Sequence, residues 1–464
     1  MINVICVNKN KFLSVSRIVF FLFVAVVTAK PADASEIILN YVLTENRTPI
    51  DQPGKKKSKP EKITSKKNVV FGDGFFSVKE KSLERIYDFK KRRIHYVDHQ
   101  AKTHAEISLF SDLSFRIAEL QNRILIAAAV QRAGEKGPDN LYTLESLFGL
   151  EGEKPPVRLQ EQKSEGELIV LRDQGEILAQ IQPGKDTPEP DSALFEKFLI
   201  YDHSLHPLIR RRILAEKRIP KEFRYRLQSL ISKDEFVVQL KSFETREDRG
   251  FEIPASYTQS SKRPGALPES AALDGVIQSV KGKDSKPSKT WFWEEAKAAA
   301  SKKDYLNAVV YYLEYGLQSG DQTGASAEMQ KVAAHQSEDE ELDRFLRSLG
   351  ISGKEQAARA IEELQKLDRT KIERGHVIDL MIANQKAVLG ENEAAAKILI
   401  GALKSNPYLA GAYKDLGDLF YGQLDMASAW RCWDFARELE PKHFMVKPIS
   451  DYEKELVKNY PEFF

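Results

Sequence analysis

From Asn68 onward, apolar and polar residues interleave with a period of two. Asn68–Phe71 and Phe75–Val78, on either side of Gly72-Asp73-Gly74, predict two short strands. Ser82–Asp88, Arg93–Val97 and Thr103–Ser108 predict three more, turning at Lys90-Lys91 and over residues 98–102. Ile86, Tyr87 and Phe89, then Ile94 and Tyr96, sit among charged neighbours, as in an antiparallel sheet with one wet face. At Leu113 the period changes to 3.6. Ile117, Leu120, Ile124, Ala127 and Ala128 form one stripe of a helix running to Gln131, closed by Gly134, Gly137 and Pro138. Glu167–Arg172 and Glu176–Gln182 predict a hairpin turning at Asp173-Gln174-Gly175. Helical segments follow at Ala193–Tyr201 and Ser204–Glu216, then strands at Glu222–Gln228 and Phe236–Phe243.

Two stretches show neither period. Residues 49–67 are rich in Lys and Pro and nearly free of large apolar side chains, so 35–67 reads as a disordered spacer before a first domain at 68–257. Residues 258–290 are dominated by Ser, Pro, Lys and Gly, with a weak helical patch at Ala271–Val280, and read as a flexible linker. Beyond Trp291 the strand pattern vanishes and 3.6-residue periodicity continues to the end.

Residues 1–34 have the layout of a secretory signal. Lys9, Lys11 and Arg17 precede an apolar run, Ile18 to Ala29, and Ala32-Asp33-Ala34 offers a cleavage site after Ala34. The run is shorter than the ~20 residues a bilayer span needs; retention as an anchor is the alternative. Cleavage would remove Cys6 and leave Cys432 as a lone thiol, which suits a periplasmic or secreted protein without disulfides.

The first domain carries a resemblance. Asp98 followed by Lys102-Thr103 in a hairpin, Ile219-Pro220 opening a strand, and Phe251-Glu252-Ile253-Pro254 ending at Tyr257 resemble, in order and flavour, the periplasmic outer-membrane lipoprotein carrier superfamily. The resemblance implies a strongly curved antiparallel sheet wrapped over helices, with an apolar cavity that takes acyl chains in some members. The 133–165 loop and the basic run Lys90–Arg93 depart from that family, and a shared fold does not by itself imply lipid carriage.

Residues 410–443 place Tyr413, Leu416, Gly417, Phe420, Ala429, Trp433, Ala436 and Pro441 at offsets 4, 7, 8, 11, 20, 24, 27 and 32. The frame 376–409 repeats this with Ile382, Ala383, Ala395, Leu399, Ala402 and Pro407. This spacing resembles the 34-residue tetratricopeptide repeat (TPR). Small residues would let the two helices of a repeat cross closely, Leu399 and Trp433 would fill the space between repeats, and the prolines would stop each second helix. Asp379 and Leu424 depart from the pattern. Residues 291–320 look like a looser copy, and Ser450-Asp451-Tyr452-Glu453 reads as a capping box opening a terminal helix. An α-solenoid over 291–464 is expected. The resemblance implies a concave face lined by Val377, Leu380, Asn384 and Ala387, then Gly411, Lys414, Asp418 and Tyr421. Asn384, Lys414, Asp418 and Tyr421 are the candidate partner-binding set.

Composition adds bounds. The 464 residues hold 70 Lys and Arg against 68 Asp and Glu, a net charge of +2 that argues against a nucleic-acid binder. The charge is unevenly shared: 289–464 has 23 basic and 29 acidic residues, the preceding part 47 and 39. His95, His99 and His104 around one hairpin are the best metal candidates, against a plainly solvated hairpin. His203 and His206 read as capping or surface residues, and Cys432 as a small apolar one. Neither G-x-S-x-G nor H-E-x-x-H occurs.

The expectation is an α+β, two-domain chain: a curved antiparallel sheet with helices, followed by an all-α TPR-like solenoid. Its expected role is non-enzymatic binding or adaptor work outside the cytoplasm, without cofactor or metal. A protein partner would dock on the solenoid, the sheet could hold a lipid or other apolar ligand, and membrane contact would be peripheral at most. The alternative is an envelope assembly factor with no small ligand; a hydrolase with an unrecognised site is a third.

Overall fold

The computed structural model describes residues 35–50, 59–132, 141–151, 159–163, 168–173, 176–228, 232–260, 269–280, 288–349 and 353–464. The expected signal segment lies outside them. The chain is α+β, with a large open sheet first and about ten helices after it.

Twelve strands form the sheet: β1 (Ser35–Pro49), β2 (Glu61–Gly72), β3 (Phe75–Glu80), β4 (Leu83–Asp88), β5 (Arg93–Asp98), β6 (Thr103–Ser108), β7 (Gln160–Lys163), β8 (Ile169–Asp173), β9 (Glu176–Gln182), β10 (Glu222–Gln228), β11 (Ser232–Glu247) and β12 (Thr258–Gln259). Their spatial order is β12-β6-β5-β4-β3-β2-β1-β11-β10-β9-β8-β7. Neighbours are antiparallel except β12, which lies parallel to β6. Between them come α1 (Leu109–Arg132), α2 (Leu141–Phe148), α3 (Ser192–Tyr201) and α4 (Pro207–Leu214).

The disordered spacer expected over 35–67 is corrected in its described part, which holds β1 and the start of β2; residues 51–58 lie outside the described residues. β1 lies mid-sheet, paired along its length with β11 and with β2. Ile38, Leu39 and Tyr41 are buried, and Glu36 is sealed in beside Arg246 at 2.8 Å. The Lys-rich start of β2, Glu61 to Lys66, buries no side chain; it is a strand because its backbone bonds to Val42–Arg47 of β1. Pairing of that kind leaves no hydrophobic pattern to read.

The expected flexible linker is corrected as well. Its described part contains β12 and α5 (Glu269–Val280), whose Ser270, Leu273, Val276 and Ile277 are buried as the helix packs on the later array. The four buried positions among its described residues were too few to stand out from the surrounding Ser, Pro and Lys.

The helical part comprises α6 (Lys289–Ser301), α7 (Tyr305–Ser319), α8 (Gln322–Ala333), α9 (Glu340–Leu349), α10 (Lys354–Gln365), α11 (Gly375–Leu389), α12 (Asn392–Ser405), α13 (Ala410–Gly422), α14 (Met426–Leu439) and α15 (Lys447–Asn459). The pairs α6–α7, α11–α12 and α13–α14 pack together, and the last two coincide with the two 34-residue frames. The α6–α7 and α11–α12 pairs are pinned together at Glu314 of α7, which is fully buried. It accepts from Arg374 Nε at 2.6 Å, His376 Nε2 at 2.9 Å and Asn406 Nδ2 at 2.6 Å. The expected capping box is displaced: α15 starts at Lys447 with Val446 as its cap, and Glu453 instead forms a two-point ion pair with Arg437.

Among the described residues, the two parts pack against each other. One hydrophobic core runs from Leu39 of β1 to Phe463. Phe110 of α1 stacks on Trp430 of α14 at 5.0 Å and meets Phe464 at 4.8 Å. Tyr201 donates its hydroxyl to the Phe463 carbonyl at 3.0 Å, and Arg93 of β5 pairs with Asp434 of α14 at 3.0 Å.

Candidate functional site

The sheet face a carrier would leave open is occupied. Asp191 caps α3 by accepting from Leu194 N, which sets the helix down on the sheet with Phe195, Phe198, Leu199 and Ile200 buried. Phe198 stands edge-on to Phe71 at 5.5 Å and Phe76 at 5.8 Å, and stacks on Tyr41 at 6.1 Å; Tyr87 packs on Phe76 and Tyr201. At the end of α3, the buried Asp202 accepts from Lys67 Nζ of β2 at 2.9 Å and Arg85 of β4 at 2.5 Å. Burial pushes its carboxyl up, but Lys67, His203 and Arg85 outweigh that and hold it well below the carboxylate range. His203 bonds the Tyr225 hydroxyl at 3.2 Å, and burial drives its imidazole down to about 4 against the pull of Asp202. This cluster is a buried lock between helix and sheet. The surface role expected for His203 is therefore corrected. His206 does cap α4, accepting from Leu208 N, and also contacts Glu145 at 3.0 Å.

The candidate docking residues lie on the α11–α13 side of the array. Lys414 and Asp418 form an i,i+4 ion pair on α13, and Asp418 also accepts from Trp433 Nε1 at 3.1 Å. Tyr421, one turn on, stacks on Trp433 at 5.5 Å and shares a 3.0 Å hydrogen bond with the Tyr452 hydroxyl of α15. Asn384 of α11 reaches this strip through Asp415, to which it is hydrogen-bonded; burial and the neighbouring Asp418 push the Asp415 carboxyl up. The spacing argument passed over Asp415 and Tyr452, since neither falls at a counted offset. Val377, Leu380 and Gly411, expected to line the same face, are buried. Gly411 faces Leu317 of α7 and Met445, so α7 covers half of the expected groove.

Of the packing residues, Ala383, Ala395, Leu399, Ala402, Gly417, Ala429, Trp433 and Ala436 are buried, Pro407 is half-buried and Pro441 exposed. A Cβ on Gly417 would lie 2.4 Å from the Trp433 indole. Each proline stands two residues after its helix, at the ends of α12 and α14.

Between β6 and α14 runs a cleft of about 440 Å³ lined by Arg93, Arg431, Arg437, Glu106, Asp434 and Glu438. Arg93 is tied to Glu106 at 3.2 Å and to Asp434, and Arg437 to Asp434 at 2.5 Å and to Glu453. Facing charges neutralise one another, so the cleft is a seam between the two parts rather than a receptor for one sign of charge.

The three hairpin histidines do not converge. His99 bridges Glu84 at 2.7 Å and the Tyr257 hydroxyl at 3.1 Å, holding the 251–257 segment on the sheet. His95 is buried under Phe251, which corrects the solvated-hairpin reading. Among the described residues, no three His, Cys, Asp or Glu side chains are arranged to hold a metal ion. Cys432 is fully buried.

No protein-family model matches the chain, and no curated protein matches it. One similar solved structure, described as lipid–protein interactions in lipovitellin, aligns over 87% of this chain and 46% of that one, at 10% identity and a TM-score of 0.17. The chain thus spans less than half of that structure's length, and a likeness this slight carries no weight on fold or ligand.

Proposed function

We propose that the chain is a non-enzymatic binding protein that works outside the cytoplasm as an adaptor. Its helical part, built on TPR-like pairs, docks a protein partner along the strip of Asn384, Lys414, Asp415, Asp418 and Tyr421. The observation that carries this reading is the strip itself: polar side chains from two successive helix pairs meet on one face, with the Asp418 side chain about half exposed at 47%. The occupied sheet face fits a scaffold role for the β part. Export is proposed from the apolar run before Ala34.

A photo-crosslinking residue at Lys414, compared with one at the exposed Glu355 of α10, tests the docking reading. A defined protein adduct is expected at position 414 alone and should vanish in a D418K background. The same adducts at both positions would refute it. The second reading gives the sheet an apolar ligand, which would have to enter a face that α3 already covers. Lipid extracted from the purified chain and identified by mass spectrometry decides that question, and a lipid-free chain ends it.

A further inference from the structure

Helix α1 packs one side into the body through Leu113, Arg116 and Leu120 and turns the opposite side to solvent. At 100° per residue, that outward side collects the exposed Phe115, Asn122, Leu125, Ile126 and Ala129. Such a face on a surface helix is normally charged. Here Phe115 is 42% exposed, Leu125 65% and Ile126 62%. Leu125 and Ile126 diverge by a quarter turn, so the apolar surface wraps both flanks of the outward side. The last acidic residue of the helix is Glu119, and it pairs with Arg123 at 3.3 Å. From there to the exposed Arg132 the helix has no negative charge.

We propose that this outward face of α1 is a membrane-surface contact. Phe115, Leu125 and Ile126 would enter the headgroup–acyl boundary of an anionic bilayer, with Arg132 at headgroup level. The lack of negative charge beyond Glu119 and the basic end of the helix complement anionic lipid. The size of the patch argues against a second copy of the chain. Three partly exposed side chains offer roughly 300 Å², well short of the ~800 Å² per partner in a stable interface. No helix among the described residues is long and apolar enough to cross a membrane, so the contact is in-plane. The proposal is independent of the docking strip on α11 and α13.

The test must report locally, because the apolar run at 18–29 could also reach lipid. Full-length chain carrying C6S and I126C is labelled with the fluorophore NBD, Cys432 being fully buried. A label at A334C, exposed at the end of α8, is the control. With vesicles of phosphatidylethanolamine and phosphatidylglycerol, NBD at 126 should shift to the blue and brighten about twofold, and NBD at 334 should not. Adding R132Q should weaken the response about fivefold on those vesicles and little on phosphatidylcholine alone, since one basic residue near an anionic surface contributes about that factor. Absence of a shift at 126, or an equal shift at 334, overturns the proposal. So does a shift at 126 that grows with protein concentration without vesicles, which would indicate a second copy.

Discussion

Asp202 and Glu314 are buried carboxylates whose neighbours tie separate elements together. Removing Asp202 strands Lys67 beneath α3. Breaking a buried pair from one side costs about 3–5 kcal/mol, so D202N is expected to lower unfolding free energy by about 3 kcal/mol in urea titration. The double variant K67M/D202L should recover part of the loss; equal loss in both would contradict a buried ion pair. The pH dependence follows from the same residues. The folded His203 titrates near 4 instead of 6.5, so the unfolded chain takes up that proton first. Its contribution is present above pH 6.5 and is lost as the pH falls towards 4. Burial alone would raise the Glu314 carboxyl, but Arg374 and His376 bring it to about 2 from 4.5. Its contribution is present above 4.5 and is lost towards pH 2. Stability measured against pH should therefore fall in two acid stages, and H203Q should shrink the upper one, to which His95 and His443, also lowered by burial, contribute too. Burial of Cys432 could be read from its helix position alone. The partners of Asp202 could not, because β2, β4 and β10 meet the end of α3 only in the folded chain.

The two helix pairs of the 34-residue frames show how much an element's residues disclose. Gly417 was picked out by offset, and the structure supplies the reason: Trp433 occupies the space a side chain would need. G417V is expected to lower the melting temperature through overpacking of about 1–3 kcal/mol. Gly401 in α12 has open space around it, so G401A should be neutral or raise stability by up to about 1 kcal/mol. A similar drop in both thermal melts would mean that backbone propensity, not helix contact, accounts for the effect. Strands with alternating burial, such as β6 and β9, were legible to the residue. The outer half of β2 was not, since only its backbone pairing makes it a strand. The short helix α2 and strand β7 left no usable pattern.

At the scale of the whole molecule, the two parts share a core whose last piece is the C-terminus. Phe463 is fully buried beside Tyr201, and Phe464 packs on Phe110. Truncating a buried Phe costs about 3–5 kcal/mol. F463A should therefore weaken the hold of the sheet part on the helical part and split a single calorimetric transition into two. A single transition that merely moves down in temperature would show that other contacts hold the two parts together. The shared core could not be read from the sequence for a physical reason: periodicity reveals that α14 has an apolar side, not what covers it. That side meets α1 and β6, far away in sequence.

The sequence alone determined the helical class of α1 and of the elements beyond Trp291, the 34-residue spacing in the helical part and the division into strand-rich and helical halves. Local periodicity and small residues at fixed offsets encode those features. Only the tertiary structure decided that β1 lies mid-sheet, that α3 fills the sheet face, and that α7 covers half of the expected groove. Each depends on which apolar surfaces meet across long separations, and burial of that kind leaves no trace at any single position.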